Sequence, residues 1–516
     1  MRDGVELIAD RYHSPSHPGQ PVVLIRSPYG RFGGFAMTAR LFAERGFQVL
    51  LQSCRGTFGS GGQFNPMRQE PEDGMDTLDW LQAQHWCTGR VHTFGMSYLG
   101  MVQWAIAAPA ADRLAGMTLH FTLSNYRNEV LAFDGHALEG VLGWATMMAK
   151  LTNAKSVVAM IVAMFGRIKP AVYNQLPLRS LDSAVVGREV PWWQDWMDHG
   201  DPADAWWDKI DHTRSIPAIV APANMIAGWH DLFLPWQLKD FKQLRAAGKE
   251  AWLTIGPWHH IAEQGGGEAI RSGLEFHSAL ARGEAPFRDR QRVRLYIQGA
   301  TEWREYSDWP PPGTQDRVLC LRADGSLSPE AELPDVAPSR YTYDPTRPTP
   351  SMHMLSPFKA RSRKPDMAVL EARSDTLVFT GTRLNVDTDV IGPVEVDVHL
   401  RSSSHHTDLY ACLCDVHPSG LSLKVCDGYV RLRQDKHPAG ADGLRLATVE
   451  CWPTAYRFRQ GHALRLIVAS GAHPHWARNL GTGQPLADGV DMVSQSIEIF
   501  HDASHRSALR VRIAHG

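Results

Sequence analysis

Cysteine is scarce in this chain. Seven occur in 516 residues, as Cys54, Cys87, Cys320, Cys412, Cys414, Cys426 and Cys451. An odd and thinly spread set does not build a disulfide framework, so a reducing, cytoplasmic setting is expected. No C-x-x-C occurs; Cys412 and Cys414 alternate in a strand-like run and are expected to face the same side without forming a metal or redox centre. No long apolar run is present either. The longest, 157–165, lies between Lys155 and Arg167 and is far short of the ~20 residues that cross a bilayer, so it is expected to be a buried helix. The opening MRDGVELIAD lacks the basic start, apolar stretch and small-residue cleavage site of a signal peptide. An excess of one charge is also missing: 53 Lys+Arg stand against 55 Asp+Glu. No field of either sign draws nucleic acid or an anionic membrane, and neither is expected as a partner. Internal repeats and low-complexity tracts are absent, and 43% hydrophobic content excludes a disordered chain.

What is present divides the chain into three textures, in keeping with about three domains for this length. Residues 1–120 alternate short apolar runs (22–26, 47–51, 91–94, 114–119) with helical spacing at 73–84 and 98–108. Buried strands separated by helices predict a parallel sheet with crossovers. Across 121–215 the strand signals fade, and 141–165 with parts of 191–210 read as helix. Strands resume at 218–226 and 251–255, so a helical insertion interrupts one α/β sheet that continues over 216–287. Such an insertion is expected over the ligand-binding edge of the sheet. From 288 to 516, short alternating stretches separated by Pro, Gly, Asp and Ser predict an antiparallel β-sandwich; 293–297 is read as its first strand.

Gly95-Met96-Ser97-Tyr98-Leu99-Gly100 lies between a predicted strand and a predicted helix and reads as a nucleophile elbow of the G-x-S-x-G type. A serine that attacks an acyl carbon must stand exposed at a tight turn. The N–H that follows it then faces the developing oxyanion at a helix N-terminus. A hydroxyl is a poor nucleophile at neutral pH and needs a base oriented by a carboxylate. The α/β-hydrolase order of nucleophile, acid and base is available. Asp231 follows the strand at 218–226, and His259-His260 follow the strand at 251–255. Spacing alone does not choose between the two histidines. Tyr29, after the strand at 22–26, stands where a second oxyanion donor is usual. The pairs His405-His406 and His473/His475 have no acidic or thiol partner at ligand spacing and read as ordinary histidines; no metal and no cofactor is expected.

Together RSPYGR, QSCRGTFGSGGQF, FGMSYLGMVQW, AGWHDLF and GPWHH resemble the cocaine esterase family and its relatives: the X-Pro dipeptidyl-peptidases, α-amino-acid ester hydrolases and glutaryl-cephalosporin acylases. YIQGATEWREYSDWP and GHALRLIVASGAHPHWARN extend the resemblance over nearly the whole chain. It implies an α/β-hydrolase fold with an inserted helical cap, followed by a β-sandwich jelly roll. It carries the nucleophile onto Ser97, the acid onto Asp231 and the base, last in G-P-W-x-H, onto His260. The oxyanion donors fall on the Tyr29 hydroxyl and the Tyr98 backbone N–H, and two acyl-pocket aromatics on Trp144 and Phe233. A second pocket tryptophan of the cocaine esterases has no match near 130–133, and Ser53 stands where the family commonly has Asp.

The α-amino-acid ester hydrolases hold the substrate ammonium with carboxylates just after the catalytic Asp, where this chain has Phe233 and Leu234. The resemblance therefore implies a serine esterase acting through an acyl-enzyme on an ester with an uncharged acyl group. A carboxylate of the insertion, such as Glu129, Asp134 or Glu139, would reverse that preference by reaching the pocket. The alternatives are a dipeptidyl-peptidase, amidase or acylase on the same triad, and a non-catalytic binder such as a β-sandwich carbohydrate binder; the intact Ser–Asp–His order speaks against the binder. The expected partner is a small ester or amide substrate, and the sequence leaves open whether the chain forms a homo-oligomer.

Overall fold

The computed structural model describes residues 1–15, 21–87, 89–153, 159–160, 162–163, 166–330, 336–352 and 366–514. Its first sheet grows from runs such as VVLIRS and QVLLQS, every residue of which is buried. Strands covered on both faces need no hydrophobic alternation, and this is how parallel sheets read in sequence. Nine strands lie in the order β1-β3-β2-β4-β5-β6-β7-β8-β9. They are β1 (Ala9–Tyr12), β2 (Val22–Ser27), β3 (Gln48–Ser53), β4 (Val91–Met96), β5 (Leu114–His120), β6 (Ala223–His230), β7 (Ala251–His259), β8 (Val293–Ile297) and β9 (Glu302–Tyr306). β2 through β8 pair in parallel, and antiparallel β1 and β9 close the two edges. Helices α1 (Gly34–Ala43), α2 (Glu70–Gln82) and α3 (Tyr98–Ala107) provide the first crossovers. All ten residues of α3 are buried, because the insertion covers the side that the sheet does not.

Two strands differ from what the sequence predicts. The strand expected at 218–226 begins at Ala223, because Thr213–Ala218 is a 3-10 turn containing Pro217. The stretch 293–297 is not the first sandwich strand: it pairs in parallel with β7, and β9 follows it in the same sheet. Its alternating burial resembles a sandwich strand because it lies next to an edge. Alternation reports one covered face, not which sheet covers it.

The insertion carries α4 (Arg127–Val130) and α5 (Leu138–Leu151), then helices at Leu181–Val186 and Pro191–Asp198. Positions 154–158, 161 and 164–165 of the helix expected over 141–165 lie outside the described residues. The insertion's Val141, Leu142, Trp193 and Trp196 pack in one cluster with Tyr98 and Met101 of α3 and with Phe233. Among the described residues no helix is long and apolar enough to cross a membrane.

The second sheet has eleven strands: β10 (Gln315–Leu321), β11 (Ser326–Ser328), β12 (Ser339–Tyr343), β13 (Thr376–Gly381), β14 (Thr388–Ser402), β15 (Asp408–Val416), β16 (Ser422–Arg431), β17 (Arg445–Phe458), β18 (Ala463–Ala469), β19 (Gln495–Ile499) and β20 (Ala508–Ala514). β14 pairs with β17 and also with β20, so the sheet returns on itself as a β-sandwich. Val394, Val396, Val398 and Leu400, alternating along β14, point into its core.

Under the first sheet, His92 of β4 and His277 lie with their Nδ1 atoms 3.0 Å apart, and His277 Nε2 is 2.9 Å from Thr118 Oγ1. Both rings are almost fully buried. Burial pushes His92 down to about 4, with Arg90 adding to the effect, and holds His277 well below its ordinary value. Between pH 6.5 and 4 the unfolded chain therefore binds protons that the folded chain refuses. Stability is full above pH 6.5 and falls as the pH drops. From His92 alone we expect a loss of about 2 kcal/mol between pH 7 and pH 5. Urea unfolding at the two values checks this; an unchanged midpoint would refute the buried neutral pair.

Candidate active site

Four parallel strands deliver the site. Ser97 follows β4, Asp231 follows β6, His260 follows β7, and Tyr29 lies two residues past β2, all at carboxyl ends of the sheet. Ser97 adopts φ 57°, ψ −124°, a left-handed conformation that costs on the order of 1–3 kcal/mol and persists only where its surroundings enforce it. Enforcement comes from the end of β5 and the two residues after it: the Ser97 N–H donates to the carbonyls of His120 and Phe121 at 2.9 and 3.1 Å, and Thr122 Oγ1 donates to the Ser97 carbonyl at 3.0 Å.

The elbow also corrects the motif reading. Its second glycine is Gly100, three positions after Ser97, with Leu99 at the second, so the spacing is G-x-S-x-x-G. Both glycines are required by close approach. A Cβ on Gly95 would lie 2.4 Å from Leu99 Cβ, and one on Gly100 would lie 2.5 Å from Thr122 Cβ.

His260 Nε2 is 3.0 Å from Ser97 Oγ, and His260 Nδ1 is 2.7 Å from Asp231 Oδ2. Asp231 is fully buried, and its other oxygen accepts the Phe233 N–H at 2.8 Å. The Phe233 ring meets the His260 ring edge-on, with centroids 5.1 Å apart. His259 is instead the last residue of β7, in register with His230, and burial lowers its imidazole below the ordinary value. Geometry thus chooses between the adjacent histidines, where spacing did not. The Tyr29 hydroxyl accepts a hydrogen bond from Trp144 Nε1 at 2.9 Å; burial raises its pKa, while hydrogen bonds with Trp144 and Ser97 oppose the rise. The Tyr98 N–H opens α3, where first-turn donors lack an intrahelical acceptor. The Tyr98 ring stacks on Trp144 at 6.0 Å and 11°. Phe233 therefore lies against Asp231 and His260, and Trp144 lies against Tyr29 and Tyr98. Trp192 adds a wall behind them, meeting Phe64 edge-on at 5.4 Å.

Three groups went unread in the sequence. The Tyr98 hydroxyl donates to Glu70 Oε1 at 2.9 Å, and Glu70 forms a buried ion pair with Arg26 at 2.7 Å. This network anchors the helix that starts after Ser97, and an arginine inside the apolar run 22–26 was its only trace in sequence. His120, at the end of β5, is buried near His260 and pushed down to about 3, chiefly by burial. Arg31 donates to Ser53 Oγ at 2.5 Å and pairs with Asp10 at 3.2 Å.

Of the three carboxylates named from the insertion, Glu129 is the one that interacts electrostatically with Asp231 and Tyr29. Burial, and then the charge of Asp231, raise it to about 8, and it acts in turn on Tyr29 and Tyr126. Asp134 turns away to pair with Lys436 at 2.7 Å. No metal-ligating trio lies at the triad among the described residues; the one present is in the sandwich.

The sequence and the fold are matched by relatives. A profile of the X-Pro dipeptidyl-peptidase (S15) family fits residues 3–262, half of the chain. The chain belongs to that family. The family's C-terminal non-catalytic domain fits residues 286–509, over the sandwich. This S15-family member is 29% identical over 530 aligned residues to the cocaine esterase of Rhodococcus sp. (strain MB1 Bresler), covering 94% of this chain and 92% of the relative. Its fold is that of an aminopeptidase from a marine sediment Thaumarchaeota archaeon (TM-score 0.85, 20% identity, 99% of this chain and 95% of the other). An α-amino acid ester hydrolase is similar in fold (TM-score 0.83, 19% identity, 100% and 95%). The protein is a hydrolase with an α/β-hydrolase domain and a C-terminal β-sandwich.

Proposed function

We propose that this protein is a serine carboxylesterase that cleaves esters of an uncharged acyl group through an acyl-enzyme. The hydrogen-bonded chain Asp231–His260–Ser97 carries the reading. His260 Nε2 takes the proton as Ser97 Oγ attacks the acyl carbon; Asp231 holds Nδ1–H and balances the imidazolium. The oxyanion meets the Tyr29 hydroxyl and the Tyr98 N–H. Collapse expels the alcohol with the proton from His260, and water, deprotonated by His260, frees the acid. The likeness to a cocaine esterase supports an ester as substrate, and the seven free thiols support a reducing, cytoplasmic setting.

The acyl side is walled by Trp144 and Phe233, against which an apolar group gains about 25 cal/mol per Å² buried. Glu129, held protonated up to about pH 8, adds no standing charge to that wall. The same residue favours a second reading. An ammonium entering beside Glu129 would draw off its proton and pair with the carboxylate, which suits an aminoacyl ester or peptide. Phenylacetyl and phenylglycyl methyl esters, compared where the amine is charged, separate the two. We expect kcat/KM at least tenfold higher for the phenylacetyl ester, a difference of ~1.4 kcal/mol. A phenylglycyl preference that disappears in Glu129→Gln would establish the second reading instead.

A further inference from the structure

The sandwich contains a group of side chains that the hydrolase chemistry does not use. Asp415, His417 and His462 each offer one ligand atom, and all three atoms lie within 4.8 Å of one another. We propose that they form a divalent transition-metal site, two imidazole nitrogens and one carboxylate oxygen, suited to zinc.

The backbone brings them together from two turns. Asp415 is near the end of β15, and His417 begins the turn into β16, which is closed by His417 N–H to Leu421 O and Gly420 N–H to His417 O at 2.8 and 2.9 Å. His462 ends the turn before β18. Antiparallel pairing of Asp415 with Leu464 and of Val416 with Ala463 sets the two turns side by side. Asp415 and His462 are almost fully buried, while His417 is half-buried and leaves a path from solvent.

His462 Nδ1 lies 2.8 and 3.0 Å from the two Asp415 oxygens. Ligands of a tetrahedral zinc with ~2.0 Å bonds stand roughly 3.3 Å apart, so the pair is a few tenths of an ångström from a chelating separation. Tyr456 donates to Asp415 Oδ2 at 2.9 Å, an outer hydrogen bond of the kind that orients ligating carboxylates. The His417 and His462 ring centroids are 4.1 Å apart. One carboxylate and one imidazole already satisfy each other. A second imidazole pressed against the first gains its purpose when a cation lies between them and the acid. The bound ion would tie the 417–421 turn to the 459–462 turn and brace β15, β16 and β18. The site shares no residue with the candidate triad.

The test uses the full chain, stripped with EDTA, dialysed and titrated with zinc chloride by calorimetry, with thermal unfolding followed in parallel. One zinc per chain and a rise in Tm of several degrees are expected. His417→Ala should weaken zinc binding at least tenfold and remove the rise, while p-nitrophenyl acetate turnover stays at the wild-type level. Should that variant fail to fold, His417→Gln keeps the bulk and carries the same comparison. Absence of saturable zinc binding by the wild type, or equal binding by the His417 variant, would overturn the proposal.

Discussion

His260→Ala abolishes turnover, with a loss on the order of 10³–10⁶ in kcat, while His259→Ala keeps a large part of it. The two imidazoles are adjacent in sequence but differ in what they meet. His260 bridges Ser97 Oγ and Asp231 Oδ2 at 3.0 and 2.7 Å, whereas His259 ends β7 in register with His230. Without His260 the hydroxyl keeps its proton, and the buried Asp231 loses the group it orients. Steady-state hydrolysis of p-nitrophenyl acetate by the two variants, with circular dichroism to verify folding, decides the matter. A dead His259→Ala beside an active His260→Ala would mean that the triad is misassigned.

Tyr29→Phe costs roughly 10²–10³ in kcat, as expected for removing one donor from an oxyanion site. Little change in stability would follow if the hydroxyl acted only in the transition state. Because that oxygen also accepts from Trp144 Nε1 at 2.9 Å, the variant leaves a half-buried indole N–H unpaired. A loss of about 1 kcal/mol in unfolding free energy accompanies the kinetic defect. Measuring kcat and the urea midpoint on the same preparation separates the two effects. Near-wild-type kcat would show that another group donates to the oxyanion.

Legibility in sequence followed burial. Strands covered on both faces, such as β2, β3 and β4, appear as uninterrupted apolar runs and lie within a residue or two of their expected places. The short edge strand β1, only partly buried, carries no such signal and was missed. In β16 and β17, Lys424, Asp427, Glu450 and Pro453 interrupt the apolar pattern; Lys424 and Asp427 satisfy each other at 2.6 Å only once the strand is formed. At the site, Ser97, Asp231 and Tyr29 were readable because each follows a strand that ends at the same edge. Choosing His260 over His259 needed either a family pattern or coordinates. Glu129 was one of three equal candidates in sequence, since nothing local distinguishes it from Asp134. Only the fold decides that Glu129 feels the charge of Asp231 while Asp134 pairs with Lys436.

The double pairing of β20 bears on how the chain is made. β20 lies between β10 and β14, its partners in sequence positions 315–321 and 388–402. Neither partner can be covered along that side until residues 508–514 have been synthesised. During translation the sandwich waits with two open strand edges, and unpaired edges of this kind invite pairing with other chains. The α/β sheet, whose strands end at Tyr306, carries no such debt and can assemble while the rest of the chain is still emerging. Nascent chains stalled before residue 508 would thus present a finished hydrolase domain tethered to a sandwich still open on one side.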